Sequence, residues 1–299
     1  VLAQLFVPES KAPHARRADP LGQLLMLGAL AAVTYAVIEG PRLGWGSPLV
    51  VGLFAGTALA VAALLAYEPR IEEPLLDLRF FRSVPFSAAT LVAVLAFGAF
   101  SGFLFLNALY LQEVRGLAAF TTGLFTLPLA VAAVVCSPIS GWLVGRSGTR
   151  LPLALAGLGI ASSAVLLSGL DRGTPLARVL VSYLIFGIGF GLVNAPITNT
   201  AVSGMPRARA GLAAAIASTS RQVGAALGVA IGGTIAQGRH GAGGELTGAM
   251  RPFFVLATAG GLCIVALGLL SSSAWSRETV RRTAALIEEG DRPAPGGTS

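Results

Sequence analysis

The stretch FSAATLVAVLAFGAFSGFLFLNALY, residues 86–110, contains no charged side chain over 25 positions. A membrane-spanning helix needs about 20 apolar residues, whereas a strand of a membrane barrel needs about 9–11 with alternating polarity. The stretch is too long and too uniform to be such a strand. Seven further apolar runs occur along the chain: 21–38, 49–67, 123–144, 151–170, 179–200, 210–236 and 252–272. The sequence therefore predicts an all-α integral membrane protein with about eight transmembrane helices.

The overall composition agrees with a membrane protein and excludes several other classes. Of the 299 residues, 54% are hydrophobic and 12% are charged, against about 25% charged in soluble domains. The basic residues form no stripe with interleaved aromatics, so nucleic acid is not an expected partner. Cys136 and Cys263 lie inside apolar runs, and His14 and His240 are far apart. We therefore expect no metal site and no cofactor.

The apolar runs divide the chain into four parts. Residues 1–20 are interpreted as the end of a preceding span and a loop, 21–67 as two linking helices, 86–272 as a six-helix bundle, and 277–299 as a partly disordered tail. Because the chain begins with Val, we expect that an N-terminal part is missing from it. Three pairs place a capping side chain before a proline, which is typical of helix starts: Asp19-Pro20, Ser47-Pro48 and Thr174-Pro175.

The distribution of basic residues predicts the orientation. Fourteen Lys and Arg residues fall in the loops and ends on one side of the predicted spans, and six fall on the other side. The positive-inside rule predicts that the side with fourteen basic residues faces the cytoplasm. Both chain ends lie on this side, and the membrane is expected to be the cell membrane.

Arg221 lies near the middle of the predicted span 210–236. A charged residue at the bilayer centre costs at least about 2.5–3.5 kcal/mol, so such residues usually face a cavity or the bundle interior. Arg221 could bind a substrate, pair with an acid or coordinate backbone carbonyls, or it could only bridge helices or cap a broken one. Gln222 beside it points about 100° away on a helix, so both side chains line one cavity only if that cavity is wide.

Two other segments could help to form the bundle or a substrate pathway, one rich in glycine and one containing a proline. Gly224, Gly228 and Gly232 recur every four residues and predict a smooth ridge against which another helix packs. Asn194-Ala-Pro196 predicts a break or kink, because proline removes a backbone donor and frees the carbonyl four residues earlier. Breaks of this kind often border binding sites in membranes, so Asn194 and Pro196 are further candidates to line a substrate pathway.

The chain is not predicted to be an enzyme. None of its 14 acidic residues lies deep in a span, and two histidines with loop acids cannot form a recognisable catalytic set. A membrane-embedded enzyme would need ionisable groups of that kind at depth.

Several motifs resemble those of the major facilitator superfamily, most closely its fourteen-span drug:proton antiporters. The loop 141–150 is similar to the superfamily's cytoplasmic signature G-x-L-x-D-R-x-G-R-[RK] at Gly141, Leu143, Arg146, Gly148 and Arg150, although Gly145 and Thr149 depart from it. Two other segments, Tyr110-Leu-Gln112 with Gly116 and Ser220-Arg221-Gln222 with Gly224 and Gly228, are similar to segments of that subfamily.

The resemblance implies a secondary transporter that exports small amphipathic or cationic drugs in exchange for protons. Its partners would be membrane lipids, a small-molecule substrate, protons, and a six-helix N-terminal half that is missing here. The alternative from another class is a non-transporting membrane scaffold or partner subunit.

Overall fold

The computed structural model describes residues 19–67, 78–202, 210–242 and 246–271, and positions 273, 276, 278–280 and 282–283. Within these ranges the chain folds into helices α1 (Pro20–Leu43), α2 (Pro48–Tyr67), α3 (Val84–Leu109), α4 (Ala119–Ser147), α5 (Arg150–Leu167), α6 (Leu176–Val202), α7 (Ala210–Ala242) and α8 (Leu246–Ser271). A 3-10 turn, Leu78–Arg82, precedes α3, and a π-helical turn, Tyr110–Val114, continues it. The predicted all-α membrane fold is confirmed, with one helix for each of the eight apolar runs.

Seven of these helices are long and apolar enough to cross a membrane, and α7 is the exception in the described ranges. It carries Arg221 and Gln222 and many glycines and hydroxyl residues, which lower its hydropathy. At 33 residues it is nevertheless the longest helix of the described chain, and it packs along α3. We therefore count it as the eighth span.

Two of the three predicted helix caps are present. Asp19 Oδ1 accepts a hydrogen bond from the Gly22 N–H at 2.9 Å, and Ser47 Oγ accepts one from the Val50 N–H at 3.3 Å. The Thr174 hydroxyl instead accepts a hydrogen bond from the Asp171 N–H at 2.9 Å and donates one to Asp171 Oδ1 at 2.8 Å, because the two residues close a turn just before α6. The prediction of a Thr174 cap was therefore wrong, although α6 does begin directly after Pro175.

The six helices from α3 to α8 form three pairs with extensive contact: α3 with α7, α4 with α6, and α5 with α8. Glycines bring each pair together. A Cβ atom at Gly228 would overlap the backbone of Gly98, one at Gly187 would overlap the Leu129 carbonyl, and one at Gly261 would lie 2.6 Å from the Gly157 oxygen. Backbones that approach so closely gain many van der Waals contacts, which drive helix association in lipid.

Helices α1 and α2 are attached to this bundle on one side. They pack against each other, and α1 also packs against α7. The Thr234 hydroxyl of α7 donates to the Val37 carbonyl of α1 at 2.6 Å. Most of the α2 surface remains exposed.

The other predicted segments are described only in part. The predicted end of a preceding span, 1–18, lies outside the described residues, as does most of the predicted tail. Of the tail, Thr279 contacts the bundle, since its Oγ1 accepts a hydrogen bond from the Val84 N–H at 3.2 Å.

Candidate functional site

Arg221 lies in the first half of α7, eleven residues after Ala210 and twenty-one before Ala242. The sequence placed it near mid-span because the apolar run ends at residue 236, whereas the helix continues for six further residues. An arginine side chain on a helix leans toward the helix N-terminus, so the guanidinium lies closer still to the start of α7.

The Arg221 guanidinium contacts two neighbouring helices. Its Nη2 donates to Thr198 Oγ1, in the last turns of α6, at 2.6 Å, and its Cζ lies 5.9 Å from the centre of the Phe97 ring of α3. The side chain is half-buried. Its Nε is fully buried and has no hydrogen-bond acceptor among the described residues.

Asn194 belongs to the same group through its backbone. The Thr198 hydroxyl, which accepts from Arg221, donates to the Asn194 carbonyl at 3.3 Å. Asn194 is half-buried and Thr198 is exposed. Thr198 therefore connects two of the residues that the sequence had singled out. Its own role was missed, because a lone threonine near a helix end carries no distinctive sequence signal.

Pro196 lies inside an uninterrupted helix, and its place along a substrate pathway stays a prediction. Helix α6 is continuous from Leu176 to Val202, so the proline causes no break. Pro196 is buried, and the Leu192 carbonyl that it leaves free accepts a hydrogen bond from Ser140 Oγ of α4 at 2.6 Å. A hydroxyl from the neighbouring helix thus replaces the missing backbone donor, which is a common way of tolerating proline in membrane helices.

Gln222 and the three glycines lie on different faces of α7. Gln222 is exposed, and Gly224 and Gly228 are buried against Val94 and Gly98 of α3. Gly232 faces the Phe105 side chain. Gln222 is thus directed to the open side of the helix, whereas the glycines face the bundle.

A row of aromatic rings adjoins Arg221, and the sequence analysis missed it. Phe97 and Phe100 of α3 both pack on Phe190 of α6, with ring centroids 5.1 and 4.0 Å apart. Phe103 continues the row and stacks on Phe186 at 4.1 Å. The signal was the spacing of three between the phenylalanines of α3, which places them on one helix face. Phe97 and Phe100 remain half-buried, so part of each ring is accessible.

The loop with the signature motif joins α4 to α5. Gly148 has φ +74°, a left-handed conformation that favours glycine, and its N–H donates to the Val144 carbonyl at 3.0 Å. Arg146 lies 5.2 Å over the Trp142 ring. Gly141 and Arg150 are exposed, and Leu143 is half-buried. The motif therefore forms a helix end and a tight turn on an open surface.

The opposite end of α3 carries the Tyr110–Gln112 segment. The Tyr110 hydroxyl donates to the Asp171 carbonyl at 2.8 Å, and Arg115 Nη1 donates to the Arg172 and Thr174 carbonyls, both at 2.8 Å. Gly116 has φ +68° and ends the π-helical turn. These contacts tie the end of α3 to the loop between α5 and α6.

Other kinds of site find little support in the residues described. No cluster of three or more His, Cys, Asp or Glu side chains that could hold a metal occurs among them. A cavity of about 420 Å³ lies between α3, α7 and α8, and its lining is almost wholly apolar. The polar and aromatic group around Arg221 is therefore the main candidate for a functional site.

The fold defines a polytopic helical membrane protein, and this group places a charge between its described helices α3, α6 and α7. Residues 12–229 match the model of the Major Facilitator Superfamily. The chain belongs to this superfamily, a family of transporters.

Similar proteins include several named for drug resistance. The chain is 38% identical to Multidrug resistance protein Stp of Mycobacterium tuberculosis over 234 residues, 78% of this chain and 43% of that protein. It is 33% identical to the Tetracenomycin C resistance and export protein of Streptomyces glaucescens over 242 residues, 81% of this chain and 45% of that protein. Identity to Drug efflux pump JefA of Mycobacterium tuberculosis is 32% over 243 residues, 79% of this chain and 46% of that protein. The chain thus spans about half the length of these relatives.

Proposed function

We propose that the chain forms one half of a secondary transporter that exports small amphipathic or cationic drugs in exchange for protons. The observation that supports a transporter of amphipathic compounds is the group formed by Arg221, Thr198, Asn194 and Phe97, which brings a charge, hydrogen-bonding groups and an aromatic ring together between helices. Relatives named for multidrug resistance and export favour a transporter over a non-transporting scaffold. Gln222, on the open face of α7, would line the same pathway.

We further propose that residues 84–271 act as one rigid body opposite a second six-helix half. Superfamily transporters expose a midplane site alternately by rocking two halves against each other. One half supplies only one wall of such a pathway, so this chain would need a complementary half in order to transport. By resemblance to the fourteen-span antiporters, that half would carry the proton-titrating acids, and α1 and α2 would link the two halves.

The proposed location is the cell membrane, with the 145–150 loop on the cytoplasmic side. Labelling of introduced cysteines with an impermeant thiol reagent tests this orientation. A cysteine at Ser147 should be protected in intact cells, whereas one at Gly243 should react. The opposite pattern would overturn the orientation drawn from the positive-inside rule.

The transport proposal is tested by drug resistance. A drug-sensitive bacterium is transformed with the chain in its complete coding sequence, and growth is measured against a panel of antibiotics and dyes. We expect raised inhibitory concentrations for several compounds, and their loss in Arg221→Ala at equal amounts of membrane protein. If no compound is exported and fluorescent dyes accumulate as in control cells, the transporter assignment of this chain is wrong.

A further inference from the structure

The charge of Arg221 has no counter-charge within the described part of the bundle. The guanidinium is ionised at every physiological pH. Its described contacts are a neutral hydroxyl, on Thr198, and the face of a phenyl ring, on Phe97. Only one of its five N–H donors is used by Thr198, and the buried Nε has no acceptor. The side chain is thus held in place while most of its hydrogen-bonding capacity remains unused.

None of the described carboxylates supplies this counter-charge. They stand at helix ends or in loops and comprise Asp19, Glu39, Glu113, Asp171 and Glu278. Glu39 pairs with Arg42 at 3.0 Å, and Glu278 pairs with Arg282 at 3.0 Å. None of the ion pairs in the described residues involves Arg221. As far as the described residues go, no carboxylate occupies this site, which leaves it open to an anion from another molecule.

The surface next to Arg221 is aromatic. Phe97, whose ring lies under the guanidinium, meets Phe190 edge to face, and Phe100 lies parallel to Phe190 with an interplanar angle of 8°. Rings with partly accessible faces bind flat apolar groups well, through offset stacking and edge contacts. A charged donor with free N–H groups and an aromatic wall are therefore adjacent.

We propose that this site binds amphipathic aromatic acids, with the carboxylate on Arg221 and the ring system against Phe97 and Phe100. The inference rests on the proposed transport function and narrows its substrate class. The planar fork of Arg221 matches a carboxylate, and Thr198 fixes its orientation. A substrate with a cationic group would be repelled here and would have to bind elsewhere in the pathway.

The test compares three probes of the same shape: 2-naphthylacetate, its neutral amide 2-naphthylacetamide, and the cation 2-(2-naphthyl)ethylamine. Their affinities for the full chain in lipid nanodiscs are measured by titration calorimetry, and binding to empty nanodiscs is subtracted. We expect the carboxylate to bind about tenfold more tightly than the amide, because only the carboxylate forms a charge-assisted hydrogen-bonded pair with Arg221. The amine should bind most weakly.

Variants test whether the preference for the carboxylate over the amide comes from Arg221. Arg221→Gln should lower the affinity for the carboxylate to that for the amide and leave the amide unchanged. Arg221→Lys should retain part of the preference, because it keeps the charge and loses the fork. Arg251→Ala, which removes an exposed arginine at the start of α8, is the charge-matched control and should behave like the parent. Melting curves confirm that each variant is folded.

Equal affinity for carboxylate and amide, or an unchanged preference in Arg221→Gln, would overturn the inference. The outcome is separable from that of the proposed function. If cells export drugs but the probes show no Arg221-dependent preference, the transporter stands and the acid site is wrong. If the chain binds the carboxylate through Arg221 but no compound is exported from cells, the site stands and the transport proposal fails.

Discussion

Helices α2 and α6 are both apolar enough to cross a membrane, yet their surroundings are opposite. In the most apolar stretch of α2, 6% of the residues are buried inside the protein, against 56% in α6. Both helices contain glycines spaced four apart. Gly52 and Gly56 of α2 have nothing within 4 Å of a Cβ position, whereas Gly187 and Gly191 of α6 lie against the backbone of α4. Apolar composition places a helix in the membrane, but only a matching partner surface places it in the bundle.

The same contrast separates the linking helices from the bundle as a whole. Within the bundle, Gly187 and Gly191 face α4 while Gly189, between them, faces Ala156 and Ile160 of α5. A glycine in this segment therefore admits a neighbouring helix on each side. Among the described bundle helices, α1 packs extensively only against α7, and a Cβ atom at Gly28 of α1 would have nothing within 4 Å. Substitutions matched between the two regions can test this difference.

The largest effect on stability and transport is expected from a bulky side chain at the contact between α3 and α7. Leu at Gly228 would overlap the Gly98 backbone, which cannot move aside as a flexible side chain would. Overpacking costs typically about 1–3 kcal/mol and can be larger where backbone must shift. We expect Gly228→Leu to lower the melting temperature in detergent clearly and to abolish transport.

Gly56→Leu on α2 is the matched control and should melt like the parent, as should Leu at the exposed Ala226 of α7. If Gly228→Leu keeps the parent's stability and exports different compounds, the ridge faces a cavity and its assignment to packing is wrong.

Removing the charge of Arg221 should affect transport more than stability. Arg221→Ala removes a positive charge from within α7, and because charged side chains in membrane helices oppose insertion, its removal should not impair insertion. We expect transport to be lost with normal membrane insertion, measured as dye efflux per amount of inserted protein. Lys should be an incomplete substitute.

Arg42 in α1 offers the comparison in a linking helix. Its side chain is 71% exposed and pairs with Glu39, so Arg42→Ala should leave efflux unchanged. Normal efflux by Arg221→Ala would reduce Arg221 to a residue that only bridges α6 and α7.

A smaller effect is expected at the carbonyl freed by Pro196. Ser140→Ala leaves the Leu192 carbonyl buried and unpaired, which should cost about 1–2 kcal/mol in unfolding measurements. Adding Pro196→Ala restores a backbone donor to that carbonyl, so the double variant should recover most of the loss.

Thr57→Val in the linking helices is the comparison, because the Thr57 hydroxyl bonds mainly to its own helix, at the Leu53 carbonyl. That change should cost less than Ser140→Ala. If the Ser140→Ala, Pro196→Ala double variant loses as much stability as the two single variants added together, the restored backbone N–H does not replace the Ser140 hydroxyl.

The smallest effect is expected where the linking helices join the bundle. Thr234→Val removes the hydrogen bond to Val37, and interhelical bonds of this kind contribute about 0.6 kcal/mol in membranes. Thr258→Val is the control, since that hydroxyl bonds within its own helix to the Phe254 carbonyl. Thermal melts should place Thr234→Val slightly below Thr258→Val, and a drop as large as that of Gly228→Leu would mean that α1 is part of the core.

The sequence predicted the helices and most of their starts. Two of the three caps it indicated are present, while Thr174 differs because Asp171, three residues earlier, offers its hydroxyl a nearer partner. The helices generally extend a few residues beyond the apolar runs, because backbone hydrogen bonding continues where hydropathy has already fallen. Because α7 extends to Ala242, Arg221 lies eleven residues from the start of the helix and twenty-one from its end.

What the sequence determined by itself was the number and kind of the spans, because the length and composition of an apolar run decide whether it can satisfy its backbone in lipid. Only the tertiary structure decided which helices meet. The acceptor for Arg221 lies 23 residues away, and the donor for the Leu192 carbonyl lies 52 residues away. Such pairs depend on how whole helix surfaces fit together. The sequence around each of these residues does not indicate which residue will be its partner.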